Sequence, residues 1–226
     1  MQELLSQIKI KVNDQVYLKD PESSKLGRVI VSNSIELIDE IGFEAFTFKK
    51  LGTKIGSPES TIYRYFENKH KLLVYLISWY WGWLEYRLVF SITNVTDSRV
   101  KLTKAIELVT ETVVEDSNFS HINEATLNRI VISESMKAYF TKAVDEENKE
   151  GFFLVYKRLV RRIADIVLEI SPDFEFPNTL ISTVIEGSHQ QKYFGEHLPS
   201  LSDCGKNPLE ITRFFQNMVF SMIDKP

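Results

Sequence analysis

Cysteine is almost absent: Cys204 stands alone in 226 residues, so no intrachain disulfide framework can staple the fold. One cysteine among polar loop residues is no evidence of a nucleophile, which needs a histidine and an orienting partner beside it, and a reduced cytoplasmic setting is the expectation. There are four histidines, and none has the i, i+4 spacing of a helical zinc site. His189 and His197 lie eight apart, about 80° around a helix, with Gly195 expected to end the helix between them. No metal is therefore expected. No apolar run approaches the roughly 18–20 residues of a membrane span, since Leu72–Ile77 is soon followed by Gly82 and Glu85. Met1–Ile10 carries Glu3 and no small-residue cleavage site, and is not read as a secretory signal. A glycine-rich phosphate loop and a Ser/His/Asp set are missing too, and Glu146-Glu147 sits in a charged run that reads as solvated surface. The expectation is a chain with no cofactor, no membrane partner and no catalytic site.

A hydrophobic fraction of 43% is that of an ordinary globular protein. The net charge is −4, but between Ala45 and Tyr75 six basic residues face two acidic ones, a local +4 that leaves −8 for the rest. A basic island on an acidic body suits contact with phosphate at one end.

Helical periodicity dominates, with no run of long alternating strands, so the fold class is all-α with about nine helices. Residues 1–22 read as an N-terminal arm, a short hairpin or irregular segment around Asn13-Asp14, with Pro21 and Ser23-Ser24 marking a stop and a cap. A first helix is expected from Ser24 to Ile41, closed by Gly42. Thr47 is placed to cap a second, Phe48–Ile55, closed by Gly56. Ser57 as cap and Pro58 at the first helical position open a third, running to Tyr65. Asn68 caps a fourth from Lys69 to Phe90, whose Leu72, Leu76, Trp79, Trp83, Tyr86 and Phe90 advance at helical spacing. Five more are placed near Asp97–Asp116, Asn123–Phe140, Asp145–Ile170, Pro177–Phe194 and Asn207–Ile223.

Two short helices split by Gly-Ser have the layout of a helix-turn-helix. The stretch Gly42–Leu73 resembles the DNA-binding domain of the TetR family of transcriptional regulators in Gly42-Phe43, Thr47, Leu51-Gly52, Gly56, Thr61-Ile62-Tyr63, Phe66, Lys69 and Leu72-Leu73. The likeness covers about 50 residues. It departs from the pattern at Gly52, where alanine is usual, at Ser57-Pro58, and at Glu59, a carboxylate that phosphate would repel unless it accepts from a cytosine amino group.

The resemblance implies a DNA-binding domain over residues 23–75 and a regulatory and dimerisation domain over 76–226. The expected contacts with double-stranded operator DNA are Thr47, Lys49, Ser60, Thr61, Tyr63, Arg64, Tyr65 and Lys69. Of these Tyr63, Tyr65 and Lys69 are assigned to phosphates, and Ser60, Thr61, Tyr63 and Arg64 to bases and nearby phosphates. It also implies a homodimer through the last two helices and a small-molecule effector pocket, for which Trp83, Tyr86, Phe119, Met136 and Tyr139 are the candidate lining. The function expected is a transcriptional regulator, most often a repressor. The alternative is a helical small-molecule-binding protein that no longer touches DNA. The arm, with Lys9, Lys11 and Lys19, reads either as a minor-groove insertion or, the favoured reading, as a segment packed on the body.

Overall fold

The computed structural model describes residues 9–115, 121–205 and 207–224. Among them are eleven α-helices, three short 3-10 turns and no strand. In chain order the helices are α1 (Lys25–Ala45), α2 (Phe48–Ile55), α3 (Glu59–Ile62), α4 (Lys69–Ile92), α5 (Ser98–Thr110) and α6 (Glu124–Glu134). They continue as α7 (Met136–Tyr139), α8 (Val144–Lys149), α9 (Leu154–Ile170), α10 (Pro177–His197) and α11 (Pro208–Ile223).

Two of the expected helices are split. Asn123–Phe140 breaks at Ser135, and Asp145–Ile170 breaks around Gly151, whose φ of 83° only glycine adopts without strain. Glycine is not always a stop, however. Gly195 lies inside α10, which runs on to His197; a Cβ there would stand 2.0 Å from the Gly205 carbonyl oxygen, so its smallness serves a close approach. Gly42 does interrupt α1, at φ 75° and ψ 156°, before a last turn through Ala45.

The chain forms two compact units, and neither is one continuous segment. The first comprises Met1–Gly82 and Val113–Val155, the second Trp83–Thr112 and Tyr156–Pro226. The division falls within α4 and places residues 113–155 with the N-terminal segments. The reason is packing: α1 lies along α6. There Glu134 Oε1 accepts from the Phe43 amide at 3.1 Å, and Arg129 donates to both Asp39 oxygens at 2.9 and 2.7 Å.

The centre of the first unit is the early part of α4. Every residue from Leu72 to Trp81 is buried, so this is a core helix surrounded on all faces rather than one with a single apolar stripe. Its polar tips are matched: Trp81 Nε1 donates to the Tyr139 hydroxyl at 2.7 Å, and Asn128 Nδ2 donates to the Tyr80 hydroxyl at 2.6 Å. Residues 9–23 are packed on this unit as well, with Val12 and Val16 buried and Asn13 Nδ2 donating to the Glu150 carbonyl at 2.8 Å. They make no hairpin. Lys9 pairs with Asp20 and Lys19 lies over the Tyr65 ring.

The second unit gathers α5, α9, α10, α11 and the rest of α4. Glu85 is buried there and accepts from Arg158 and Arg162. Burial opposes its ionisation, but the two guanidiniums outweigh that and hold the carboxyl below its usual range. Thr110 and Thr212 share a buried hydroxyl hydrogen bond of 2.8 Å, tying α5 to α11. No helix among the described residues is long and apolar enough to cross a membrane.

Candidate nucleic-acid interface

The second helix is defined by its ends. Thr47 Oγ1 accepts from the Lys50 amide at 3.2 Å, satisfying one of the donors a helix start leaves open. Gly56 takes the left-handed conformation at φ 65° and ψ 34° and turns the chain. The following residues return over α2 so closely that a Cβ on Gly52 would lie 2.6 Å from the Ser57 carbonyl oxygen and 3.3 Å from the Glu59 nitrogen. Glycine at 52 is thereby explained: the path through Ser57-Pro58-Glu59 leaves no room for the usual alanine.

The third helix is shorter than expected and capped differently. Pro58, not Ser57, is its N-cap, with no side-chain cap bond, and the regular turn covers Glu59–Ile62. Tyr63 to Tyr65 continue it as a tightened turn, in which the Arg64 amide donates to the Thr61 carbonyl and the Tyr65 amide to the Ile62 carbonyl. Ile62 and Phe66 are buried beneath, while Glu59, Ser60, Tyr63 and Arg64 are exposed and Thr61 is half-buried.

The expected contact residues thus separate into two groups. Thr47, Lys49, Ser60, Tyr63 and Arg64 lie at the surface, with Thr61 partly so. Lys49 and Arg64 make no side-chain ion pair or hydrogen bond with a described residue, which leaves both cations available. Lys54, by contrast, is held by Glu36 at 3.1 Å. The Tyr63 ring is 47% exposed and rests edge-on against Phe48, with centroids 4.9 Å apart. Tyr65 and Lys69 belong to the other group. Tyr65 is only 3% exposed, and its hydroxyl shares a 2.8 Å hydrogen bond with Ser24 Oγ, the cap of α1. The Lys69 ammonium donates to the carbonyls of Phe43, Glu44 and Phe46 at 3.1, 3.1 and 3.4 Å, above the Phe43 ring. Its three donors serve the last turn of α1 and the residue that follows it. Both side chains thus have partners within the chain.

Residues 30–76 match the family described as bacterial regulatory proteins, tetR family. The helix-turn-helix segment is of the tetR family. Solved structures that resemble the chain include the superantigen PfiT, with a TM-score of 0.59 and 13% identity over 92% of this chain and 100% of that one. The fatty acid degradation regulator FadR from Bacillus halodurans gives a TM-score of 0.57 and 14% identity over 84% of this chain and 92% of that one. At such identities the likeness is one of fold. A search of curated proteins finds no match. The tetR-family segment supports a DNA-binding transcription regulator in class, and Lys49, Ser60, Tyr63 and Arg64 are among its exposed side chains.

The candidate effector residues divide between the two units. Trp83 and Tyr86 belong to the second unit: Trp83 is buried under the Arg87 guanidinium, and Tyr86 packs on Phe90 with centroids 4.6 Å apart. Met136 and Tyr139 belong to the first, where the Tyr139 hydroxyl accepts from Trp81. Phe119 lies outside the described residues. A cavity of about 370 Å³ in the first unit is lined by none of the five; its walls are residues 9–12, Tyr17, Asp20, Glu22 and Tyr75. Sequence reasoning missed the structural use of Lys69 and Tyr65 because the acceptors at residues 24 and 43–46 converge on them only in the fold.

Proposed function

We propose that the chain is a homodimeric repressor that places α3 and its following turn in the major groove of a palindromic operator. The observation that supports this reading is the exposed set Lys49, Ser60, Tyr63 and Arg64 on a tetR-family helix-turn-helix, its two cations held by no ion pair. A major groove about 12 Å wide takes one helix, and one short helix reads too few bases alone, so two copies related by a twofold axis are needed. The last two helices, which pack on each other in the second unit, favour the homodimer: Leu209 is 76% exposed, and Phe214, Met222 and Tyr193 are exposed as well. A ligand or partner acting on the C-terminal region would alter duplex affinity through α4, which is continuous from Lys69 to Ile92.

The test is a band shift with the DNA flanking its own gene, at several salt concentrations, together with light scattering for the dimer. Retarded DNA whose affinity falls steeply with salt is expected. Tyr63→Ala with Arg64→Ala should weaken binding at least tenfold and flatten the salt slope. Unchanged binding in that double variant, or a monomer at micromolar concentration, would overturn the reading.

A second reading draws on Glu59, an exposed carboxylate at the start of α3. It makes the chain a helical small-molecule-binding protein that has lost DNA binding, and it requires that no duplex be retained even at low salt.

A further inference from the structure

The cavity in the first unit combines aromatic, apolar and charged walls. At about 370 Å³ it is near the lower end of small-molecule pockets, about 300–1,000 Å³. Ile10 and Val12 supply apolar wall, and Tyr17 meets Tyr75 edge-on with ring centroids 6.0 Å apart. Tyr75 is 1% exposed, yet its hydroxyl makes no hydrogen bond with a described residue. A buried phenol normally has a partner, so this one calls for a ligand or solvent atom in the cavity it lines. Burial and the nearby Glu22 and Asp20 carboxylates all oppose its ionisation, which marks the surroundings as acidic.

Two carboxylates, Asp20 and Glu22, and two ammonium groups, Lys9 and Lys11, line the cavity. The Glu22 side chain is 12% exposed and its Oε1 meets His121 Nε2 at 2.7 Å. Asp20 Oδ1 accepts from the Glu22 amide at 2.8 Å, and its Oδ2 faces the Lys9 ammonium at 3.1 Å. The Lys9 side chain is 61% exposed and that of Asp20 37%, and Lys11 is exposed, so Glu22 is the most deeply set of the four charges. An exposed pair such as Lys9–Asp20 is worth little and is easily exchanged.

We propose that this cavity binds a small primary organic ammonium compound, its head between the Asp20 and Glu22 carboxylates and the faces of Tyr17 and Tyr75. The cation gains from both rings and both carboxylates, and it donates to the Tyr75 hydroxyl. Lys9 is the internal stand-in that the ligand displaces. The site also borders the DNA-reading turn. Leu18, in the same packed segment, donates its amide to the Tyr65 carbonyl at 2.8 Å, and the Tyr75 ring meets Phe66 with centroids 5.3 Å apart. Occupancy therefore changes duplex affinity, a consequence that rests on the DNA-binding reading above.

Calorimetry on the full chain with phenethylammonium and butylammonium tests the site without DNA. Saturable binding at one per chain is expected, with phenylacetate and 2-phenylethanol at least tenfold weaker. Glu22→Gln should weaken the amines about tenfold and Tyr75→Phe about fivefold, while Lys9→Ala, a surface change, should tighten them about threefold. No saturable binding of either amine, equal binding of phenylacetate, or unchanged affinity in all three variants would overturn the proposal; circular dichroism verifies that each variant is folded. A band shift with and without phenethylammonium then reads the coupling. Unchanged duplex affinity at saturating amine removes the coupling, and failure to retain any duplex sinks the DNA-binding reading while calorimetry still decides the site.

Discussion

An ammonium group has three protons, and Lys69 donates to three main-chain carbonyls at the end of α1 and just beyond it. Hydrogen bonds to a charged group are each worth about 1.5–3 kcal/mol when buried, and less at a partly exposed site such as this. Lys69→Met should lower unfolding stability by about 2 kcal/mol in urea titration; a residue serving DNA alone would leave the midpoint unchanged. A second residue-scale effect concerns His189, buried in α10, whose imidazole is pushed down to about 3 by burial and by the Lys192 ammonium. The unfolded chain takes up that proton near pH 6.5 and the folded chain does not, so stability is full above pH 6.5 and is lost as pH falls toward 3. His189→Gln should flatten that acid limb. Parallel stability curves for the two proteins between pH 6.5 and 4 would refute it. Neither role could be read from the sequence, where Lys69 is a basic residue at a helix start and His189 is a histidine outside any metal-ligand spacing.

At the scale of elements, local chemistry was legible and long-range chemistry was not. The bounds of α2 follow from Thr47 and Gly56, both of which act within their own turn. The end of α3 could not be foreseen in the same way, because tightening at Tyr63–Tyr65 is set by Ile62 and Phe66 seating in the core. Gly52 belongs here: the sequence marks it as unusual, and the reason lies in a backbone segment five residues on. Gly52→Ala should separate α2 from α3 and cost about 1–3 kcal/mol, typical of overpacking against main chain. It should also weaken duplex binding more than Gly56→Asn, since asparagine tolerates the left-handed conformation and a Cβ at 56 meets nothing within 4 Å. Equal stability of Gly52→Ala and the parent protein would show that the close approach is not binding on the sequence.

At the scale of the whole molecule, periodicity located the helices but could not say which of them share a core. Residues 113–155 complete the first unit by supplying Glu134 to the Phe43 amide, Glu147 to His70 and Asn128 to Tyr80. A fragment of residues 1–82 should therefore keep helical circular dichroism but lose the near-ultraviolet signal of Trp79 and Trp81 and bind a hydrophobic dye. A native-like near-ultraviolet spectrum from that fragment would contradict the division into units. The discontinuity also has a bearing on synthesis. A ribosome adds roughly 5–20 residues per second, so the nascent turn at Glu59–Tyr65 emerges several seconds before Val155 does. Through that interval the tryptophan-rich start of α4 has no finished surroundings, and the newborn chain must be shielded until its second contribution arrives.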